Sequence, residues 1–429
     1  MSTHAGAALV SSRLVAGRLL TKKDAGLGAF TLKAQREGPI FYPRMLPDAA
    51  GFNYESNATG DKVVTRLDNC GCAECINPVT RQRSFDILAH SRLVEPRQVL
   101  PSVDGFEVLW SDRHRSKYTW NWLQSAMPGG KHPFSGDVVQ RLWNRRLIYE
   151  EPPEVKFKSV MRTDSLQGIA ELTNKIREHG FCFVVNTPVT PEDTQSLLER
   201  IGPIRNTHYG GFWDFTPNMA KADMAYSNAA LDVHTDTTYF SDPAGLQAFH
   251  LLSHTGPNGE EMRLHERGGQ SILVDGFYAA HRLRLERRDH YETLQTVNLP
   301  WHASGNQDVA MAPARPYPVI EGHGKTVFRI RWNKDDRGSL PLKVNTKWWY
   351  NAAREWDTIV NRQENQYEFL LEPGRVLIFD NWRILHGRRE FWGLRRICGG
   401  YINRDDFISR WKLSNFPREE VIAANMIAA

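Results

Sequence analysis

The 429-residue chain contains no apolar run close to the roughly 18 residues that a membrane-spanning helix needs, no internal repeat and no low-complexity tract. This argues against a transmembrane protein and against a solenoid or a tail-like chain. It also has no block of like charge. Its 54 basic and 49 acidic residues leave a net charge of +5 spread over a mixed-sign surface, which is not the footprint of a nucleic-acid-binding protein. Cysteine is scarce: five in all, three of them within six residues. That pattern excludes a disulfide framework and suits a reducing compartment. Acidic residues are missing from the first 23 positions, where Arg13, Arg18, Lys22 and Lys23 stand among Ser and Ala. This is the composition of a mitochondrial transit peptide, although its apolar pairs recur every five residues and would make an imperfect amphipathic helix. A matrix location is the expectation, with a disordered tail on a cytoplasmic protein as the alternative.

What the chain does have is ample core material, 41% hydrophobic with 13 Trp and 20 Phe, and a length that predicts one large domain and one smaller one. Residues 1–40 read as leader or tail. Residues 41–126 read as a small β domain with strands near 106–110 and 116–120. Residues 127–160 form a Gly- and Pro-rich linker with a short helix near Trp143. Residues 161–429 make the main domain. There, Ile169, Leu172 and Ile176 fall on one helical face with Gly180 as the stop. Residues 181–185 and 376–379 are buried strands, and Thr190-Pro-Glu-Asp193 has the cap, proline and acids of a helix start. A further helix is predicted over 347–363, and residues 254–269 read as an exposed insertion. Strands interrupted by flanking helices predict a double-stranded β-helix, or jelly roll, with helices packed outside.

The chemistry centres on Leu231-Asp-Val-His-Thr-Asp-Thr-Thr-Tyr-Phe240 and, some 150 residues later, Asn381-Trp-Arg-Ile-Leu-His386-Gly-Arg388. His234 and Asp236 share parity, so on one strand they face the same side, while Thr235 between them points away. With His386 they form the two-imidazole, one-carboxylate set that leaves one face of an iron(II) ion open. An HxD pair alone is common, and a lone His is usually structural. Arg395, nine residues after His386, raises the signal. An oxygenase that uses 2-oxoglutarate needs a cation there for the distal carboxylate, and Arg can pair with it bidentately. Arg395, Ile397, Gly399 and Tyr401 share a face, where Gly399 leaves room for a ligand. Neighbouring Arg396 reads as a surface residue.

Cys70-Gly-Cys72-Ala-Glu-Cys75 places three soft ligands together, and His114 is the nearest fourth. Zinc in a closed structural site is the expectation, with a redox-active cluster as the weaker alternative. Cys182 and Cys398, in apolar strands, read as inert core. Tyr209, Trp213, Tyr226 and Tyr401 lie near the metal motifs. Each singly reads as core, but together they could cage a quaternary ammonium through cation–π attraction, worth roughly 2 kcal/mol when desolvated.

Together, these residues make the chain resemble the trimethyllysine/γ-butyrobetaine dioxygenase family over residues 60–415, most strongly at 226–240, 268–279, 379–388 and 398–406. The Leu-Asp order of Arg66-Leu-Asp68 departs from the family's usual pattern before the cysteines. The resemblance implies an iron site in a double-stranded β-helix preceded by a small zinc domain. It implies zinc on Cys70, Cys72, Cys75 and His114, 2-oxoglutarate on Arg395, and an ammonium cage of Tyr209, Trp213, Tyr226 and Tyr401. Asn333 matches a position at the substrate's polar end. Asp223 matches the trimethyllysine branch, where the γ-butyrobetaine branch has Asn, and a carboxylate there could pair with the α-ammonium that only trimethyllysine carries. The activity implied is iron- and 2-oxoglutarate-dependent C3 hydroxylation of trimethyllysine, the first step of carnitine biosynthesis, with ascorbate as reductant, oxygen as co-substrate and a homodimer as the assembly. The alternatives are γ-butyrobetaine hydroxylation, a non-catalytic methyl-lysine reader, and a zinc hydrolase, which would leave Arg395 without a role.

Overall fold

The protein is described by a computed structural model over residues 29–34, 52–57, 70–84, 86, 94, 96–120, 139–216, 228–305 and 307–425. The chain divides into two compact units, Met1–Gly136 with Ile422–Ala429, and Asp137–Val421. In the first unit, strands β1 (Ala29–Ala34) and β2 (Phe52–Asn57) pair antiparallel. A three-stranded meander follows, made of β3 (Pro96–Ser102), β4 (Gly105–Trp110) and β5 (Arg115–Thr119). Its alternation buries Phe106, Val108, Trp110 and Tyr118 on one face, and Ser116 accepts the Trp110 indole N–H at 2.8 Å.

The second unit is built on two sheets. Its strands are β6 (Glu154–Lys156), β7 (Phe181–Val185), β8 (Trp213–Phe215), β9 (Leu231–His234), β10 (Leu246–Thr255), β11 (Ser271–Asp275), β12 (Ile320–His323), β13 (Thr326–Ile330), β14 (Tyr367–Phe369), β15 (Arg375–Asp380), β16 (Ile384–Arg388) and β17 (Leu394–Ile402). One sheet has the order β6-β7-β15-β10-β17-β8 and the other β14-β11-β16-β9, with β12 and β13 as a separate hairpin. The period-two alternation of side chains then sorts every strand. Phe181, Phe183, Leu251, Leu377, Phe379 and Ile397 of the large sheet meet Leu273, Tyr367 and Ile384 of the small one in an inter-sheet core. The opposite face of the large sheet (Cys182, Val184, Leu246, Val376, Ile378) packs on helices Gln167–His179 and Pro191–Ile201. The outer face of the small sheet (Val233, Ile272, Val274, Leu385) packs on Gly276–Glu286, Arg288–Thr296 and Thr346–Asn361. This is the mainly β, helix-flanked jelly roll expected from the sequence.

Local chemistry places the helices. Thr190 caps one by accepting from Asp193 N, with Pro191 in the first position. Gly180 ends another at φ 83°, where a Cβ would also strike Ile384. Asn345 caps a third. Helix Gly276–Glu286 has no clean 3.6-residue stripe, since Phe277, Ala279, Ala280 and Leu283 are all buried, whereas Arg288–Thr296 buries His290, Tyr291 and Leu294 on one face. The expected insertion at 254–269 needs correction at its start: β10 continues to Thr255, and His254 pairs in register with Arg395 of β17. Backbone pairing along β17 overrides the polarity of that segment.

Candidate metal and co-substrate site

His234 and His386 are register partners on adjacent strands β9 and β16. Their side chains therefore rise together into the inter-sheet space, with ring centroids 4.4 Å apart. Asp236 does not share their strand, which corrects the parity expectation: β9 ends at His234, and Asp236 lies in the bend that follows. Asn381 holds that bend. Its Oδ1 accepts from Asp236 N at 2.8 Å, and its Nδ2 donates to the carbonyls of Asp236 and Ala244, each at 3.0 Å. Thr237, next in the chain, takes φ 55°. Thr235 turns away from the two ligands, its hydroxyl accepting from Trp332 N at 3.0 Å. The ligand atoms of His234, Asp236 and His386 all lie within 4.8 Å of one another, close enough to hold one metal ion.

The surroundings orient these groups. His234 Nδ1–H donates to the Asp232 carbonyl at 2.7 Å, which leaves Nε2 facing Asp236 Oδ1 at 3.2 Å. His386 Nε2 lies 3.9 Å from the same oxygen. Burial opposes charge on His234, yet the hydrogen bond and charge of Asp236 raise its pKa to about 9. Burial likewise works against the Asp236 carboxylate, but His234 and His386 hold it well below the usual range. Burial and the charge on His234 push His386 down to about 3. A carboxylate that stays ionised beside two imidazoles is the donor set that binds a borderline divalent ion.

Arg395 points into the same space from β17. It is 3% exposed, and no carboxylate of the described residues pairs with it. Burial, reinforced by the charge on Arg388, lowers its pKa to about 9. Arg388, two residues beyond His386 and so on the same face of β16, is also buried and donates to the Ala229 carbonyl at 2.8 Å. Both guanidiniums lie over Phe391, at 4.7 Å for Arg388 and 5.7 Å for Arg395. The buried charge of Arg395 calls for an anionic partner, and a dicarboxylate fits. Arg388 was missed in the sequence, although its parity with His386 was the available signal. Arg396 is exposed and paired with Asp214 at 2.5 Å.

Of the four expected cage aromatics, Tyr226 lies outside the described residues, as does Asp223. Trp213 pairs with Gly399 across β8 and β17, and its indole fills the space above that glycine, where a Cβ would come within 2.5 Å of the ring. The Ala248 carbonyl and the Trp213 ring thus both crowd the space over Gly399. Trp213 meets Tyr401 edge-on at 6.5 Å. The Tyr209 hydroxyl is 3.4 Å from that of the buried Tyr239. Asn333 spends its Oδ1 on a local turn, accepting from Asp335 N at 3.0 Å.

In the first unit, the Cys70, Cys72 and Cys75 sulfurs lie 3.2, 3.7 and 3.4 Å from His114 Nε2. All four ligand atoms fall within 4.8 Å of one another. A turn in which Cys75 N and Ile76 N donate to Cys72 O gathers the thiols. Burial raises the Cys70 and Cys75 thiols, while the backbone N–H of Cys75 lowers Cys72 against its own burial. Cys182 and Cys398 are fully buried in the large sheet of the second unit, and burial pushes the Cys398 thiol up to about 11.

Comparison with known proteins agrees with this geometry. Residues 143–401 match the taurine catabolism dioxygenase TauD, TfdA family, and residues 65–124 match the gamma-butyrobetaine hydroxylase-like N-terminal family. The trimethyllysine dioxygenase of Neurospora crassa is 48% identical over 383 residues, covering 83% of this chain and 80% of that protein. The Meyerozyma guilliermondii enzyme of the same name is 37% identical, covering 88% and 96%. The human mitochondrial trimethyllysine dioxygenase is 36% identical, covering 81% and 80%. The chain belongs to the TauD/TfdA dioxygenase family and, within it, to the trimethyllysine dioxygenases.

Proposed function

We propose that this chain hydroxylates N6,N6,N6-trimethyllysine at C3, using iron(II), 2-oxoglutarate and molecular oxygen. The observation that carries the reaction type is the buried Arg395, with no carboxylate partner among the described residues, in the same inter-sheet space as the His234, Asp236 and His386 group. A methyl-lysine reader or a zinc hydrolase needs no such cation. The substrate follows from the names of the relatives and from Asp223.

His234, Asp236 and His386 would hold the iron. When bound with 2-oxoglutarate, iron supplies the power to insert one oxygen atom of O2 into an unactivated C–H bond, with succinate and carbon dioxide as the other products. Arg395, supported by Arg388, fixes the distal carboxylate of the co-substrate and so sets the position of its oxo-acid end. Tyr209, Trp213, Tyr226 and Tyr401 receive the trimethylammonium group, while Asp223 and Asn333 meet the polar end. The placement of these two ends decides which carbon is oxidised. The inter-sheet apolar residues keep water from the reacting centre.

Cys70, Cys72, Cys75 and His114 are proposed to hold structural zinc. Tetrahedral zinc with Zn–S of about 2.3 Å and Zn–N of about 2.0 Å sets S···N separations near 3.5 Å, the spacing found here. Ascorbate as reductant, a homodimer and import into the mitochondrial matrix complete the reading.

The test is product identification. The protein is incubated with iron(II), ascorbate, 2-oxoglutarate and oxygen, with trimethyllysine or γ-butyrobetaine in turn. The expected result is trimethyllysine carrying one added oxygen, with matching succinate. Preferential turnover of γ-butyrobetaine would overturn the substrate, and binding without succinate would overturn the reaction. Asp223→Asn is expected to raise KM for trimethyllysine several-fold and leave KM for 2-oxoglutarate unchanged.

A further inference from the structure

We infer that Gln247 and the Tyr401 hydroxyl form a two-donor clamp on Oδ2 of Asp236, so that this carboxylate offers a metal its Oδ1 alone. Gln247 is therefore a positioning residue for the iron site, and Tyr401 has a role separate from its ring in the cage. The inference rests on the iron reading above.

Gln247 and Tyr401 are register partners on β10 and β17, so both side chains rise on the same face of the large sheet. Gln247 Nε2 donates to Asp236 Oδ2 at 2.7 Å, and the Tyr401 hydroxyl donates to the same atom at 2.8 Å. The two imidazole Nε2 atoms face the other oxygen, Oδ1, at 3.2 and 3.9 Å. The carboxylate is thus divided, with fixed donors on one oxygen and the potential metal ligands on the other.

The orientation of the Gln247 amide follows from chemistry, because its carbonyl turned toward Asp236 would set acceptor against acceptor. With Nε2 on the carboxylate, Gln247 Oε1 is left buried with no hydrogen-bond partner. The residue is only 2% exposed. A leucine of similar size would fill this position without an unsatisfied carbonyl, so packing does not account for glutamine here. Asn381 already anchors the backbone of Asp236, which leaves rotation of the carboxylate as its remaining freedom. The clamp removes that freedom.

The consequence concerns vacant coordination positions. Two imidazoles and one carboxylate oxygen leave the open face that a chelating co-substrate and oxygen both need. A carboxylate bound through both oxygens would fill one of those positions.

The test uses the metal-free full chain and Co(II) as the probe, comparing wild type, Gln247→Leu and Tyr401→Phe by calorimetric titration and by the visible spectrum of the Co(II) protein. The expected result is Co(II) affinity about 10–100-fold weaker in Gln247→Leu, with shifted or intensified visible bands. Tyr401→Phe, which keeps the ring, should move both readouts in the same direction. Circular dichroism of the metal-free proteins checks folding, and if Gln247→Leu does not fold, Tyr401→Phe decides. Affinities within twofold of wild type and unchanged spectra in the folded variants would overturn the clamp alone. Failure of the wild type to bind Co(II) would overturn the metal reading and the clamp with it.

Discussion

Arg395 carries its charge into the buried inter-sheet space, and no carboxylate among the described residues pairs with it there. A guanidinium so placed is tolerated when a ligand brings the missing anion, and the gain from pairing is large because neither group remains in water. Arg395→Met is expected to cost about 2–3 kcal/mol of co-substrate binding, read as a KM for 2-oxoglutarate raised roughly 30–150-fold with KM for trimethyllysine little changed. Arg395→Lys should fall between, since an ammonium cannot form the bidentate pair. An unchanged KM for 2-oxoglutarate in the Met variant would remove Arg395 from this role. Asn381 acts one step further out. Asn381→Ala strands the Asp236 N–H and two carbonyls, and should lower unfolding stability by about 1–3 kcal/mol and weaken metal binding. Urea titration and Co(II) calorimetry read the two effects.

Strand β10 illustrates how one element serves two faces. Gln247, Phe249 and Leu251 enter the inter-sheet space, while Leu246, Ala248 and His250 face the helices. His250 is fully buried and bonded at both nitrogens. Nε2 accepts from Gly374 N at 3.0 Å, so the ring proton sits on Nδ1 and is donated to the Thr194 hydroxyl at 2.7 Å. Thr194 in turn donates to the Thr190 carbonyl at 2.8 Å, which ties β10 to the start of helix Pro191–Ile201. Protonating Nε2 would set it against the Gly374 N–H, and burial lowers the His250 pKa from 6.5 to about 4. Because the folded value lies below the unfolded one, the unfolded chain takes up the proton first. The stabilisation is complete above pH 6.5 and is lost as pH falls toward 4, by about 3 kcal/mol. Urea unfolding between pH 7.5 and 4.5 should show a shallower decline in His250→Gln than in wild type, and parallel declines would refute the assignment.

Across the catalytic unit, one buried ion pair joins parts distant in the chain. Arg383, 1% exposed, donates to Asp275 at 2.8 and 3.1 Å and to the carbonyls of Glu178 and Arg141. Asp275 in turn caps helix Gly276–Glu286 by accepting from Phe277 N and Tyr278 N, and also accepts from Trp143 N. The connection from β15 to β16, the end of β11 and the end of helix Gln167–His179 thus meet at two side chains. Removing one partner of a buried pair leaves the other uncompensated, so Arg383→Met should destabilise by about 3–5 kcal/mol. A urea midpoint within error of wild type would show that the node bears no such load.

The sequence by itself determined the jelly-roll class, through period-two strands between helices, and pointed to His234, Asp236 and His386 as candidate metal ligands with Arg395 as the candidate co-substrate anchor. It also determined the cysteine cluster with His114. These were legible because the residue types and their spacing along the chain match the donor sets that metals and carboxylates need. Tertiary structure decided what depends on atoms from distant segments. Asp236 reaches the ligand group through a bend held by Asn381, 145 residues away, and not by strand parity. Trp213 fills the space over Gly399 because β8 pairs with β17. Arg388 joins Arg395, and Gln247 joins Tyr401 on Asp236, only once β16, β10 and β17 are aligned in their sheets. Parity along a strand is a local property of the backbone, whereas register between strands is set by cooperative pairing and packing of the whole sheet.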